Sequence, residues 1–172
     1  LSRKLNLQTK KIIKKINKFK GLKYRQEIIY NNNKITFIND SKATSFASTI
    51  NILKSLKKVF WLVGGIGKLG DKFTLKKNEC KDIGAYIFGK NKNFFIKQFR
   101  NKLSYRCFKD LRSAVKQVLK DTNNNNHNLH KTVLFSPSAA SFDSFKNFEK
   151  RGEYFNFLLK KYKVKETINA IR

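Results

Sequence analysis

Three short apolar runs constrain this chain more than any other feature. Residues 59–63, 85–88 and 132–135 are each of strand length and nearly free of polar side chains. A strand that is apolar on both faces has to be covered on both faces, which is the habit of parallel sheets. The segments between the runs carry helical spacing instead, at 43–56, 73–81, 91–99 and 111–119, and a long helix over 143–162 closes the chain. Residues 27–30 and 35–38 read as two further strands joined by the turn 31–34, and 105–108 as a short one. Strands alternating with helices predict an α/β fold: a Rossmann-like, mostly parallel sheet with helices on both faces.

Composition adds limits. The 172 residues suffice for one ordinary domain, and a 40% hydrophobic fraction that includes 16 Phe supplies its core. The formal charge of +28 taken alone suggests a nucleic-acid partner, and a basic nucleic-acid-binding α/β module is the alternative reading of the chain. However, the basic residues are mostly Lys, are spread along the whole length, and travel with Asn, Ile and Phe. That is the signature of a compositional drift such as an AT-rich genome imposes, and no recognition motif accompanies it, so no specific nucleic acid is expected. Cys80 and Cys107 lie far apart without metal-ligand spacing and read as reduced thiols. His127 and His130 lie in or beside an Asn-rich loop with no further ligand nearby, so no metal site is expected. No apolar run is long enough to span a bilayer. Residues 1–20 form a basic amphipathic segment, with Leu5, Leu7, Ile12, Ile13, Ile16 and Phe19 near helical spacing, expected to pack on a neighbouring element. The chain contains no Met, and it is expected to be a piece of a longer protein.

In open α/β sheets ligands bind at the carboxyl ends of the strands, and three polar or glycine-rich segments fall there. Asn39-Asp40-Ser41-Lys42 follows the second strand, and Asp40, Lys42 and Thr44 stand at a strand-to-helix junction. A carboxylate there suits the hydroxyls of a ribose; a Lys and a Thr beside a helix N-terminus suit a carboxylate or phosphate. Gly65-Ile66-Gly67-Lys68-Leu69-Gly70 fits the glycine spacing of a dinucleotide fingerprint. The acid that should end the following strand is missing, since 85–88 runs into Gly89-Lys90. Nor does the spacing make a P-loop, because Leu69 stands where Ser or Thr should bind magnesium. A glycine turn presenting Lys68 to an anion remains. The third segment, 136–142, is small and polar, and Ser141 and nearby N–H groups suit a second carboxylate. No histidine or other base is placed to make any of its serines a nucleophile. Together the three loops describe a pocket for a small dianion, and an amino diacid suits it.

The same residues carry a family resemblance. Asn39-Asp40-Ser41-Lys42-Ala43-Thr44 resembles the signature of D-glutamate-adding Mur ligases, and the resemblance continues through Gly64-Gly65-Ile66-Gly67-Lys68. It covers Leu134-Phe135-Ser136-Pro137, Ala140-Ser141-Phe142-Asp143 and the stretch from Phe145 to Gly152. Upstream, Phe19, Gly21, Leu22 and Arg25 are similar to the end of the central domain of these ligases. The resemblance implies that residues 1–24 end a central ATPase domain and that 25–172 form the C-terminal D-glutamate-binding domain. It implies a cytoplasmic, monomeric enzyme that uses ATP with Mg2+ and acts on D-glutamate and UDP-N-acetylmuramoyl-L-alanine. Phosphorylation of the terminal carboxylate of the UDP substrate gives an acyl phosphate, which the amine of D-glutamate attacks.

By the same resemblance, Arg25 and Asp40 contact ATP on its base and ribose side. Lys42, Thr44 and Lys68 surround the D-glutamate α-carboxylate, with Lys42 and Lys68 catalytic, and Ser141, Phe142 and Phe148 hold its side-chain carboxylate end. The phosphate loop, the magnesium ligands and the UDP-binding domain are expected upstream of Leu1, so the chain is not expected to ligate by itself. The sequence departs from the family pattern at Ser45 for Asn, at Lys23-Tyr24 for Pro-His, at Ser138 for Cys and at Ser144 for Gln.

Overall fold

The computed structural model describes residues 9–18, 21–124, 129–142 and 144–164. Six strands form a single sheet: β1 (Glu27–Asn31), β2 (Ile35–Asn39), β3 (Val59–Gly64), β4 (Ile83–Phe88), β5 (Ser104–Phe108) and β6 (Lys131–Phe135). Their order is β1-β2-β6-β3-β4-β5, with β1 antiparallel to β2 and every other pairing parallel. The helices are α1 (Thr9–Lys18), α2 (Phe46–Ser55), α3 (Lys92–Phe99), α4 (Leu111–Asn124) and α5 (Phe148–Lys161).

Period-two alternation along the strands divides the interior into two layers. Val59, Trp61 and Val63 of β3, with Ile83, Ala85 and Ile87 of β4, point to one side and meet α2 and α3. Leu62, Tyr86, Phe88, Val133 and Phe135 point to the other and meet α4 and α5. Both faces of the parallel sheet are thus covered, as the apolar runs require. No helix among the described residues is long and apolar enough to cross a membrane.

Several expected helices come out shorter. Over 73–81 only Lys77–Cys80 coils, as a 3-10 turn. Phe73 and Leu75 are both buried in the α2–α3 layer, and two residues apart is an extended spacing rather than a helical one. The closing helix starts at Phe148, because the Asn147 side chain accepts the Lys150 N–H at 2.8 Å and fixes the first turn. Likewise α2 starts at Phe46: Ser45 and Ser48 cap each other's backbone N–H groups. A segment of helix is present near the start as α1, while Leu5, Leu7, Phe19, His127 and Asp143 lie outside the described residues.

Phe46 anchors the α2–α3 layer. Its ring is fully buried and lies 5.6–6.4 Å from the rings of Trp61, Phe73, Phe94, Phe95 and Phe99. Such a cluster gains burial and edge-to-face contact together. Phe46→Ala is expected to cost about 3–5 kcal/mol, measured as the loss of unfolding free energy in urea.

Candidate functional site

The strand order sets the site. β6 lies between β2 and β3, so the segments leaving the carboxyl ends of all three are neighbours. Residues 39–44, 64–70 and 136–142, far apart in sequence, meet there through backbone pairing. The Asp40 N–H donates to Phe135 O at 2.7 Å and the Gly64 N–H to Pro137 O at 3.1 Å. Ile66 and Ala140 exchange N–H donors at 2.9 and 3.0 Å as an isolated antiparallel bridge. Gly65 sits inside this contact with φ +123°, and a Cβ there would run into the Ala140 carbonyl, so no other residue fits.

Beneath the loops lies a cation that sequence reasoning quoted in its motif but gave no role. Arg151 of α5 is fully buried. Its guanidinium donates to Ser41 O at 2.9 Å, to Ala139 O at 2.9 Å and through Nε to Ser41 Oγ at 3.2 Å. One side chain thereby joins the first loop to the third. Ser41 passes its own hydroxyl hydrogen to Phe148 O at 2.8 Å. Asn39 adds a second tie to α5: its amide donates to Gly152 O at 3.0 Å and to Asn156 Oδ1 at 2.8 Å. The signal for Arg151 was present in the sequence, because it shares the 4–3 spacing of Phe155, Leu158 and Leu159 on the apolar face of α5. Gly152 follows from the same packing: a Cβ there would strike the Tyr24 ring.

Asp40 is the buried carboxylate of the site. Oδ1 accepts the Gln26 N–H at 3.2 Å and Oδ2 the Ser136 hydroxyl at 2.9 Å. Burial pushes its pKa up, against the opposing pull of the Ser136 hydroxyl, the Gln26 N–H and the Arg25 charge. Asp40, Arg25 and Lys42 share a cleft of about 400 Å³ that Leu22 and Ala43 also line. The Lys42 ammonium lies 3.9 Å from the Phe148 ring centroid, a cation–π contact between two of the expected site residues. Ser141 is buried, its carbonyl accepts the Ser144 and Phe145 N–H groups, and its hydroxyl has no recorded partner among the described residues.

Thr44, Lys68 and Phe142 stand on the exposed rim, Phe142 at 73% exposure. Among the described residues, no recorded hydrogen bond, ion pair or ring contact joins these three to one another or to the rest of the expected set. The loop that carries Lys68 is nevertheless anchored on both sides. The Ile66–Ala140 bridge precedes it, and Asp71 follows it, accepting the Phe46 N–H at the start of α2 at 2.7 Å. Asp71 was not singled out from sequence. Among the described residues no group of three or more His, Cys, Asp or Glu is arranged to hold a metal ion.

The raised pKa of Asp40 has a definite sign. Its folded value lies above the unfolded value of about 3.9, so its contribution to stability is complete below that pH and is lost as pH rises through the folded value. The stability of the chain relative to Asp40→Asn is expected to fall as pH is raised from about 4. Urea midpoints of the two proteins at stepped pH check this, and a constant difference would contradict it.

No protein-family model matches the chain. Whole proteins do. The UDP-N-acetylmuramoylalanine--D-glutamate ligase of Rickettsia felis is 37% identical over 158 residues, which is 92% of this chain and 35% of the relative. The ligase of the same name from the Wolbachia of Brugia malayi is 33% identical over 168 residues, covering 97% of this chain and 33% of the relative. That of Francisella philomiragia is 32% identical over 164 residues, 93% of this chain and 38% of the relative. The chain spans about a third of the length of the curated relatives it matches. These relatives lend no support to the alternative of a basic nucleic-acid-binding module. With this similarity running along nearly all of its length, the chain belongs to the Mur ligase family, corresponding to about a third of the D-glutamate-adding ligases it resembles.

Proposed function

We propose that the chain is the C-terminal part of a cytoplasmic, ATP-dependent ligase that adds D-glutamate to UDP-N-acetylmuramoyl-L-alanine. In this reading residues 1–24 end the central ATPase domain and 25–172 form the D-glutamate-binding domain. The observation that carries it is the gathering of a buried carboxylate, a ring-held ammonium and the buried Ser141 at the carboxyl ends of three adjacent strands.

The chemistry asks for positioning and charge stabilisation. ATP phosphorylates the terminal carboxylate of the UDP substrate. The D-glutamate amine then forms a bond to the acyl carbon, the carbon–oxygen bond to phosphate breaks, and the nitrogen loses a proton. Asp40 offers acceptors for ribose hydroxyls, and Arg25 lies at the same cleft for the base side of the nucleotide. Lys42, Thr44 and Lys68 meet the α-carboxylate of D-glutamate, and the two ammonium groups offset the negative charge that gathers on the tetrahedral intermediate. The Ser141 hydroxyl donates to the side-chain carboxylate, with Phe142 and Phe148 as apolar walls. Mg2+ supplies charge neutralisation on the phosphates, and its ligands belong to the part of the enzyme outside this chain.

The test is a chimera in which this chain replaces the matching third of the Rickettsia felis ligase. Lys68→Ala is expected to raise the KM for D-glutamate by about tenfold or more, the order of one charge-assisted contact, while the KM for ATP stays within about twofold. Unchanged D-glutamate kinetics in that variant would remove Lys68 from the site.

A further inference from the structure

Four buried polar side chains are joined in series below the loops. Ser136 Oγ lies 2.9 Å from Asp40 Oδ2, Thr49 Oγ1 lies 2.8 Å from Ser136 Oγ, and Ser138 Oγ lies 2.7 Å from Thr49 Oγ1. Thr49, Ser136 and Ser138 are all fully buried and Asp40 nearly so. Chemistry fixes the direction of this series. An ionised carboxylate only accepts, so Ser136 donates its one hydrogen to Asp40. Ser136 is then left to accept from Thr49, and Thr49, its hydrogen spent, accepts from Ser138. The alternative acceptors are more distant: Ser45 O is 3.4 Å from Thr49 Oγ1 and Ser136 O is 3.4 Å from Ser138 Oγ. Hydrogen bonds aligned head to tail polarise one another, so each strengthens the last, which ends on Asp40.

The two ends of the series belong to different halves of the site. Asp40 lines the cleft with Arg25, while Ser138 opens the loop that leads to Ser141. Thr49 stands between them on α2, and the Trp61 indole N–H, donating to Ser136 O at 2.7 Å, holds the middle of the loop in place. Ser138 adopts φ +55°, a left-handed conformation that a Ser accepts only when its surroundings impose it. Its bond to Thr49 is one such constraint.

We infer that Ser136 and Thr49 are positioning residues for Asp40: a one-way hydroxyl series from Ser138 through Thr49 and Ser136 holds this carboxylate ionised and aimed into the nucleotide cleft. The inference rests on the nucleotide role proposed for Asp40, and it ties nucleotide affinity to the loop that meets the amino acid.

A carbon-13 NMR titration of the Asp40 carboxyl, in this chain and in S136A, T49V, T49S and T49V/S136A, tests the series without any ligand. Losing a donor to the ionised form raises a carboxyl pKa, and Arg25, the charged group that acts on Asp40, is the same in every variant. S136A is expected to raise the proton affinity of Asp40 by about tenfold and T49V by about threefold, with T49S restoring the unmodified behaviour. The double variant should match S136A alone, because a broken series has no second effect to add. Asp40 titrating in T49V as it does in the unmodified chain overturns the series, and so does a double variant whose effects add. Should S136A fail to fold, T49V against T49S still decides. In the chimeric ligase T49V is expected to raise the KM for ATP about threefold, with T49S normal. A T49V that shifts Asp40 yet leaves the KM for ATP unmoved overturns the positioning role. D40N with an unmoved KM for ATP sinks the nucleotide reading itself, separately from the titration.

Discussion

Everything at the carboxyl edge of this sheet depends on where one guanidinium is held. Arg151 is fully buried, and burying a charge is costly unless its donors are met. The planar fork of Arg meets the carbonyls of Ser41 and Ala139 from one fixed position on α5, which a single-point Lys ammonium does not reproduce. Because those carbonyls belong to different loops, the side chain sets the distance between them. Asn39, Ser41 and the Phe148 carbonyl then fall into place as neighbouring contacts rather than as independent choices. The exposed groups proposed to meet substrate, Thr44, Lys68 and Phe142, are supported by this frame and contribute little to it.

Much of the fold was legible in the sequence for one reason: strands buried on both faces have no room for polar residues. The runs through Trp61, Tyr86 and Leu134 could be nothing else, and the two helical layers follow from them. The loops were legible as well, because Gly65 and the Asn39–Lys42 stretch break the apolar pattern where parallel strands end. The strand order was not, since α4 carries the chain from β5 at one edge to β6 between β2 and β3, a crossover no local pattern records. The buried polar groups were missed for a related reason. Thr49, Asp71 and Arg151 look like ordinary helix or loop residues until a partner some 25 to 110 positions away is known. The shortfall over 73–81 is local: Phe73 and Leu75 carry an extended spacing that was passed over.

The charge of +28 and the site chemistry are nearly separate properties. Among the described basic residues, Arg25, Lys42 and Lys68 are the ones proposed to face ligand, and Arg151 is the one that ties the loops beneath them. Long Lys side chains on a surface lay their stems along the protein and keep the ammonium in water, so their number can drift at little cost to folding. The interior admits no such drift. Substituting one member of the Asp40, Ser136 and Thr49 set leaves an unmet donor or acceptor in a dry place. The buried polar set is thus far less tolerant of substitution than the surface around it.

The antiparallel hairpin has a topological consequence. Had β1 run with the rest of the sheet, the chain would enter at the amino ends of the strands. It runs the other way, with Glu27 paired to Asn39, the Gln26 N–H on Asp40 and the Lys42 N–H on Tyr24 O. Polypeptide ahead of Gly21 is therefore tethered at the mouth of the cleft that Arg25, Asp40 and Lys42 line. Any group carried on so short a tether meets the cleft at a high effective concentration, whatever its intrinsic affinity for this surface.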